Sequence, residues 1–132
     1  MYFTNEDIIS RYTTEMGIED GLFVDTRDTE VASLATEAGI KVPVIVTSTV
    51  WEEVFKPSPA AERRGESITG RAWDVFFMFI TAARMARGRS DLTFEVIHTN
   101  AKGRHTTAEI FATFDRMGDG SPVIKFMFPS ER

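Results

Sequence analysis

The chain lacks cysteine altogether and has only two histidines and two tryptophans. Without cysteine there is no disulfide framework, no cysteinyl zinc site and no cysteine nucleophile. Long apolar runs are missing too. The longest charge-free stretches, residues 42–51 and 75–83, are ten and nine residues long, against ~20 for a membrane-spanning helix. There are no internal repeats or low-complexity tracts, which excludes a solenoid. The start, Met1-Tyr2-Phe3-Thr4-Asn5-Glu6-Asp7, is acidic where a secretory signal would be basic. A cytoplasmic protein without a membrane segment is expected.

What is present is enough for one core. The 132 residues are 42% hydrophobic, a length and composition suited to one domain and not to disorder. The net charge of −5 is unevenly spread. Residues 1–60 hold eleven acids against four bases, residues 61–104 eight bases against five acids, and residues 105–132 three bases against four acids. An acidic half and a basic middle suggest a dipolar surface, although ordinary solvated charge gives the same counts.

Local signals place the elements. Thr4 is a weak N-cap for a short helix through Ser10, and Thr13 or Thr14 for another through Glu19. Asp20-Gly21 turns into a short strand at Leu22-Phe23-Val24. Val31, Leu34, Ala35 and Ala38 repeat at helical spacing before Gly39. Pro43 bars helix, Val44-Ile45-Val46 reads as a buried strand, and Thr47 or Ser48 caps a helix over 49–55. Residues 57–66, bounded by prolines and rich in polar residues, read as a mobile surface loop. The longest helix is expected over 67–87. It is apolar all round from Val75 to Ile80, which predicts burial on most sides.

Three strands follow, over 92–99, 107–115 and 122–129, joined by turn-like segments into an antiparallel meander. One parity, with Phe94, Val96, Ile110, Ala112, Ile124 and Phe126, supplies a core face for the long helix. The other mixes Glu95, Glu109 and Lys125 with Ile97, Phe111, Val123 and Met127. Lys125 is placed to pair with Glu109 or Glu95. Those four apolar residues are too much for a wet face. Either the N-terminal half covers them or they form a partner-binding patch.

The expected fold is therefore a single α+β domain over residues 1–132. A three-stranded antiparallel C-terminal sheet packs on the long central helix. Short helices and one or two short strands make up the N-terminal half.

No chemical motif is complete. His98 and His105 flank the first hairpin turn, but a catalytic zinc needs three protein ligands. Gly65-Glu66-Ser67-Ile68-Thr69-Gly70 lacks the second glycine and the preceding strand of a nucleophile elbow, so Ser67 reads as a helix cap. Gly118-Asp119-Gly120 precedes a strand and reads as a turn, not a dinucleotide loop. Asp74 is the one acid in the long helix, and Arg71, a turn earlier, is placed to share a buried polar network with it. The arginines at 63, 64, 71, 84, 87 and 89 are scattered. With a pI near 5.0, they argue against direct nucleic-acid binding. No catalytic, cofactor-binding or metal-ligating set is assigned, and no cofactor is expected.

Several blocks in order, among them Asp20-Gly21-Leu22-Phe23-Val24-Asp25, Ala38-Gly39-Ile40-Lys41-Val42-Pro43-Val44, Gly70-Arg71-Ala72-Trp73-Asp74-Val75 and Gly120-Ser121-Pro122-Val123-Ile124, resemble an uncharacterised family of small proteins carried by bacterial plasmids and phages. The resemblance implies a mobile-element setting and brings no activity with it. The leading expectation is a non-enzymatic accessory protein that binds another protein or itself. Two alternatives stand beside it. One is an acidic inhibitor that mimics nucleic acid against a host defence system. The other is a small hydrolase-like enzyme using Asp74, Arg71 and a histidine.

Overall fold

The computed structural model describes residues 13–132. The helix expected over residues 4–10 lies outside the described residues. In chain order the elements are α1 (Thr14–Glu19), β1 (Phe23–Asp25), α2 (Ala32–Glu37), β2 (Val44–Thr47), α3 (Ser48–Val50), a π-helical turn (Trp51–Phe55), α4 (Pro59–Arg63), α5 (Ile68–Met85), β3 (Asp91–Thr99), β4 (His105–Arg116) and β5 (Pro122–Met127). Among the described residues no helix is long and apolar enough to cross a membrane.

The expected three-stranded antiparallel sheet is not what forms. The sheet has five strands in the order β1-β2-β5-β4-β3, and it is mixed. The C-terminal meander is present, with β3–β4 and β4–β5 antiparallel. However, β2 pairs in parallel with β5, and β1 runs antiparallel to β2 at the far edge. The physical reason lies in β2 and β5. All four residues of β2 are buried, as are Val123 to Phe126 of β5. A strand buried on both faces belongs in the middle of a sheet. Seating β2 against β5 also satisfies the backbone groups that a three-stranded sheet would leave open on β5.

The helix α5 crosses one face. Ser67 caps it by accepting the Gly70 N–H at 3.1 Å, and Gly88, at φ 75°, supplies the left-handed turn beyond its end. Val75, Phe76 and Phe79 enter a core with Val44, Val46, Phe94, Val96, Ile110, Ile124 and Phe126. Burial on most sides of this helix does not hold, because only one sheet face receives it. Trp73, Phe77, Met78 and Met85 remain exposed.

On the opposite face, Ile45, Phe111 and Val123 are buried, and Lys125 lies over the Phe23 ring at 5.0 Å. The α1 helix packs against β1 here. Gly17 makes that approach possible, since a Cβ at this position would sit 2.2 Å from the Phe23 ring. Lys125 pairs with Asp115 at 2.7 Å, not with Glu109 or Glu95. Burial pushes the Asp115 carboxyl up, but the Lys125 ammonium and the Arg116 N–H outweigh it and hold the group below its ordinary value.

The stretch 57–66 contains a helix. Ser58 caps α4 by accepting the Ala61 N–H at 3.2 Å, and Pro59 occupies its first turn. Ala61 is fully buried. Arg64 donates to the Gly103 carbonyl in the β3–β4 turn, so the stretch leans on the hairpin.

Candidate functional site

Two cavities flank the start of α5. The larger, of about 530 Å³, is lined by the π-helical turn and the β3–β4 turn: Glu52, Glu53, Lys56, Arg71, His98 and Asn100 are among its walls. The π register places the Lys56 N–H on the Trp51 carbonyl at 2.9 Å and stacks Trp51 on Phe55, centroids 5.1 Å apart. That stacking turns Glu52 and Glu53 outward toward solvent.

Arg71 is the hub of this region and is only 5% exposed. Its Nη1 donates to the carbonyls of Val54 and Lys56, each at 3.3 Å, and its Nη2 to the Thr99 carbonyl. Its Nε donates to Glu66 at 3.2 Å. A guanidinium has five N–H donors, and this one spends its bonds tying α5, the π-helical turn and β3 together. A hydrogen bond from Thr99 is the largest influence holding the Glu66 carboxyl below its ordinary value; Arg71 adds to it, against burial.

Asp74 has no part in that network. It is exposed and lines a different cavity, of about 350 Å³, with Phe77, Met78, Glu95, Val96, Ile97 and Thr107. Partial burial first, and the Glu66 charge second, raise its pKa. Among the described residues Asp74 makes no ion pair with Arg71, and it lines a different cavity from Arg71 and His98. The two histidines do not converge either. His98 pairs with Thr106 and His105 with Thr99 on adjacent rungs of the β3–β4 ladder, and side chains alternate in face from rung to rung. Among the described residues no group of three metal-ligating side chains comes together.

His98 is half-buried, and among the described residues its Nδ1 has no hydrogen-bond partner. Burial first, and then the Arg71 charge, push its pKa below the ordinary value. The folded chain thus disfavours the imidazolium, while the unfolded chain protonates near pH ~6.5. Stability from this group is complete above that pH and falls as pH drops through the window below it. The His98→Gln variant is expected to flatten that slope in urea unfolding compared at about pH 7 and about pH 5.5. Equal losses in variant and wild type would refute the assignment.

The four apolar residues expected to form one patch are split. Phe111 and Val123 are buried and Met127 half-buried, while Ile97 is 68% exposed. The side chain of Arg132 covers the Phe111 ring at 4.5 Å. Ile97 instead joins residues that the parity argument did not include. Phe77, 55% exposed, and Met78 on α5 line the same cavity. Trp73 and Met85 are also exposed on the same helix. Phe77, Met78 and Ile97 make an apolar margin where α5 overhangs the last strand of the sheet. A signal for it exists in the sequence. The helix carries more apolar residues than a one-sided packing can bury, and the surplus marks its outer side.

No curated protein and no solved structure matches the chain. The model of a family described as "Family of unknown function (DUF6573)" matches residues 1–132. The chain belongs to that family.

Proposed function

We propose that this chain works by binding another protein, and that the margin formed by α5 and β3 is the surface it uses. The observation that carries this reading is the grouping of Phe77, Met78 and Ile97 around one open cavity. Exposed large apolar side chains that cluster mark interaction surfaces, whereas single ones do not. Catalysis has less support, since Asp74 lines a different cavity from Arg71 and His98 and the donors of Arg71 are engaged by its own chain. In the mobile-element setting that the sequence resemblance implies, the partner is a host or element-encoded protein.

The acidic-mimic alternative has weaker grounds. Several carboxylates of the acidic half are occupied locally. Asp25 pairs with Arg27 at 2.7 Å, Glu52 with Lys56 at 3.2 Å, and Glu15 accepts the Gly118 N–H at 2.7 Å.

Pull-down from bacterial lysate at moderate salt tests the binding reading. The wild-type chain is expected to retain a protein that the Phe77→Ser/Ile97→Ser double variant does not. Both positions are exposed, so the variant should keep its fold, as circular dichroism would verify. Recovery of nothing, or of the same proteins by both chains, overturns the proposal.

A further inference from the structure

The β3–β4 ladder has a definite phase. The Phe114 N–H donates to the Ser90 carbonyl and the Asn100 N–H to the Arg104 carbonyl. These pairs continue the register in which Leu92 faces Ala112 and Phe94 faces Ile110. In an antiparallel ladder, bonded and non-bonded pairs alternate. The even-numbered residues of β3 therefore exchange bonds with β4, and Asp91, Thr93, Glu95, Ile97 and Thr99 turn their N–H and C=O groups away from it. The Thr99 carbonyl is taken by Arg71, which agrees with this phase and closes one end. β3 is last in the sheet order, so among the described residues no strand covers the groups at Thr93, Glu95 and Ile97. β3 contains no proline and no lysine, its register runs without a bulge, and its charged residues are the acids Asp91 and Glu95.

The middle of the edge is acidic, while Arg89 and Arg132 stand beside Asp91 and Thr93 at its start. Glu95 faces Glu109 at a non-bonded rung, where opposing side chains are closest. Among the described residues neither carboxylate has an ion-pair partner. Like charges directly opposite each other destabilise a sheet. Asp74 overhangs the same cavity from α5, beside Phe77 and Met78.

We propose that the open edge of β3 takes an extended segment of the partner protein as a sixth strand, one in which basic and apolar residues alternate. This rests on the partner-binding reading above. The backbone of the segment bonds the outward groups of Thr93, Glu95 and Ile97. Its Lys or Arg side chains meet Glu95 and Glu109 on one face, and its apolar side chains meet Met78 and Phe77 on the other. A second copy of this chain fits poorly, because β3 brings Asp91 and Glu95 and no lysine or arginine. Two such strands, paired antiparallel about their middle, set Glu95 against or beside its own counterpart.

The probe is a peptide of alternating lysine and valine, about seven residues long to match the open stretch, added to the full chain with amide exchange followed by NMR. The expected result is slowing of exchange at Thr93, Glu95 and Ile97 by about tenfold or more, with binding that weakens as salt rises. A peptide with glutamate in place of lysine should not bind. Glu95→Lys/Glu109→Lys should raise the dissociation constant by about tenfold or more. Thr93→Pro, which removes an outward N–H and leaves the ladder to β4 intact, should weaken binding as well. Shifts at Phe77 and Ile97 without protection of the three amides overturn strand addition and leave the partner-binding reading standing. No shift anywhere overturns strand addition, while that reading answers to its own pull-down. Protection of the amides without peptide, together with a dimer by light scattering, assigns the edge to a second copy and also overturns the proposal.

Discussion

Replacing Arg71 by methionine is expected to destabilise the fold by about 3–5 kcal/mol, because a buried guanidinium is lost and several buried carbonyls are left without a donor. The side chain is buried, and its donors serve the carbonyls of Val54, Lys56 and Thr99 and the Glu66 carboxylate. Methionine fills much of the volume but returns none of those bonds. Each acceptor left dry costs about 1–3 kcal/mol, and a carboxylate costs more. The loss should therefore exceed that of any single surface change. Urea unfolding followed by circular dichroism measures it. Arg71→Lys should recover only part, because an ammonium cannot span three elements with the fixed fork of a guanidinium. A loss below about 1 kcal/mol for Arg71→Met would show that water reaches those carbonyls and that the hub is not structural.

The second large effect is expected at Phe126→Ala. This ring is fully buried. Its centroid lies 5.1 Å from that of Phe79, 5.3 Å from Phe94 and 6.3 Å from Phe76. Truncation removes apolar burial and leaves a cavity walled by three rings, for a loss of about 3–5 kcal/mol. Phe77→Ala, on the same helix as Phe79 but pointing to solvent, should change stability by no more than about 0.5 kcal/mol. The contrast tests which side of α5 faces the sheet. Comparable losses at the two positions would mean that the helix is rotated or that its outer side is covered.

Much of the local structure was legible in the sequence, and the reasons are local. Ser67 and Gly88 bracket α5 because a hydroxyl satisfies an orphan N–H and glycine tolerates a positive φ. The strands after residue 90 alternate, and their apolar parity meets the helix. The short helix within 57–66 has a start signal in Ser58-Pro59, but the flanking prolines and polar residues favour a loop on local grounds. The pairing of β2 with β5 was not legible. It joins Val44 to Ile124, and no local periodicity spans that separation.

The candidate site divides in the same way. The sequence places Arg71 and Asp74 in one buried polar network; in the structure the bonds of Arg71 go to Glu66 and to the carbonyls of Val54, Lys56 and Thr99. The i, i+3 spacing allowed that pair without requiring it. Of the four apolar residues, Ile97 alone lies on the margin with Phe77 and Met78. Parity assigns a residue to a face of the sheet, but it does not say whether that face is covered at that strand.

By itself the sequence determined where chain direction changes, which residues are apolar enough to be buried, and which chemistries lack their groups. Those properties depend on spacing over a few residues, where sterics and hydrogen bonding act directly. Only the tertiary structure decided the sheet order, the burial of Phe111 and Val123, the placement of Asp74 and Arg71 at different cavities, and the exposure of the β3 edge. Each depends on which distant segment arrives at a given surface, and that is decided by the competition of all segments for one core.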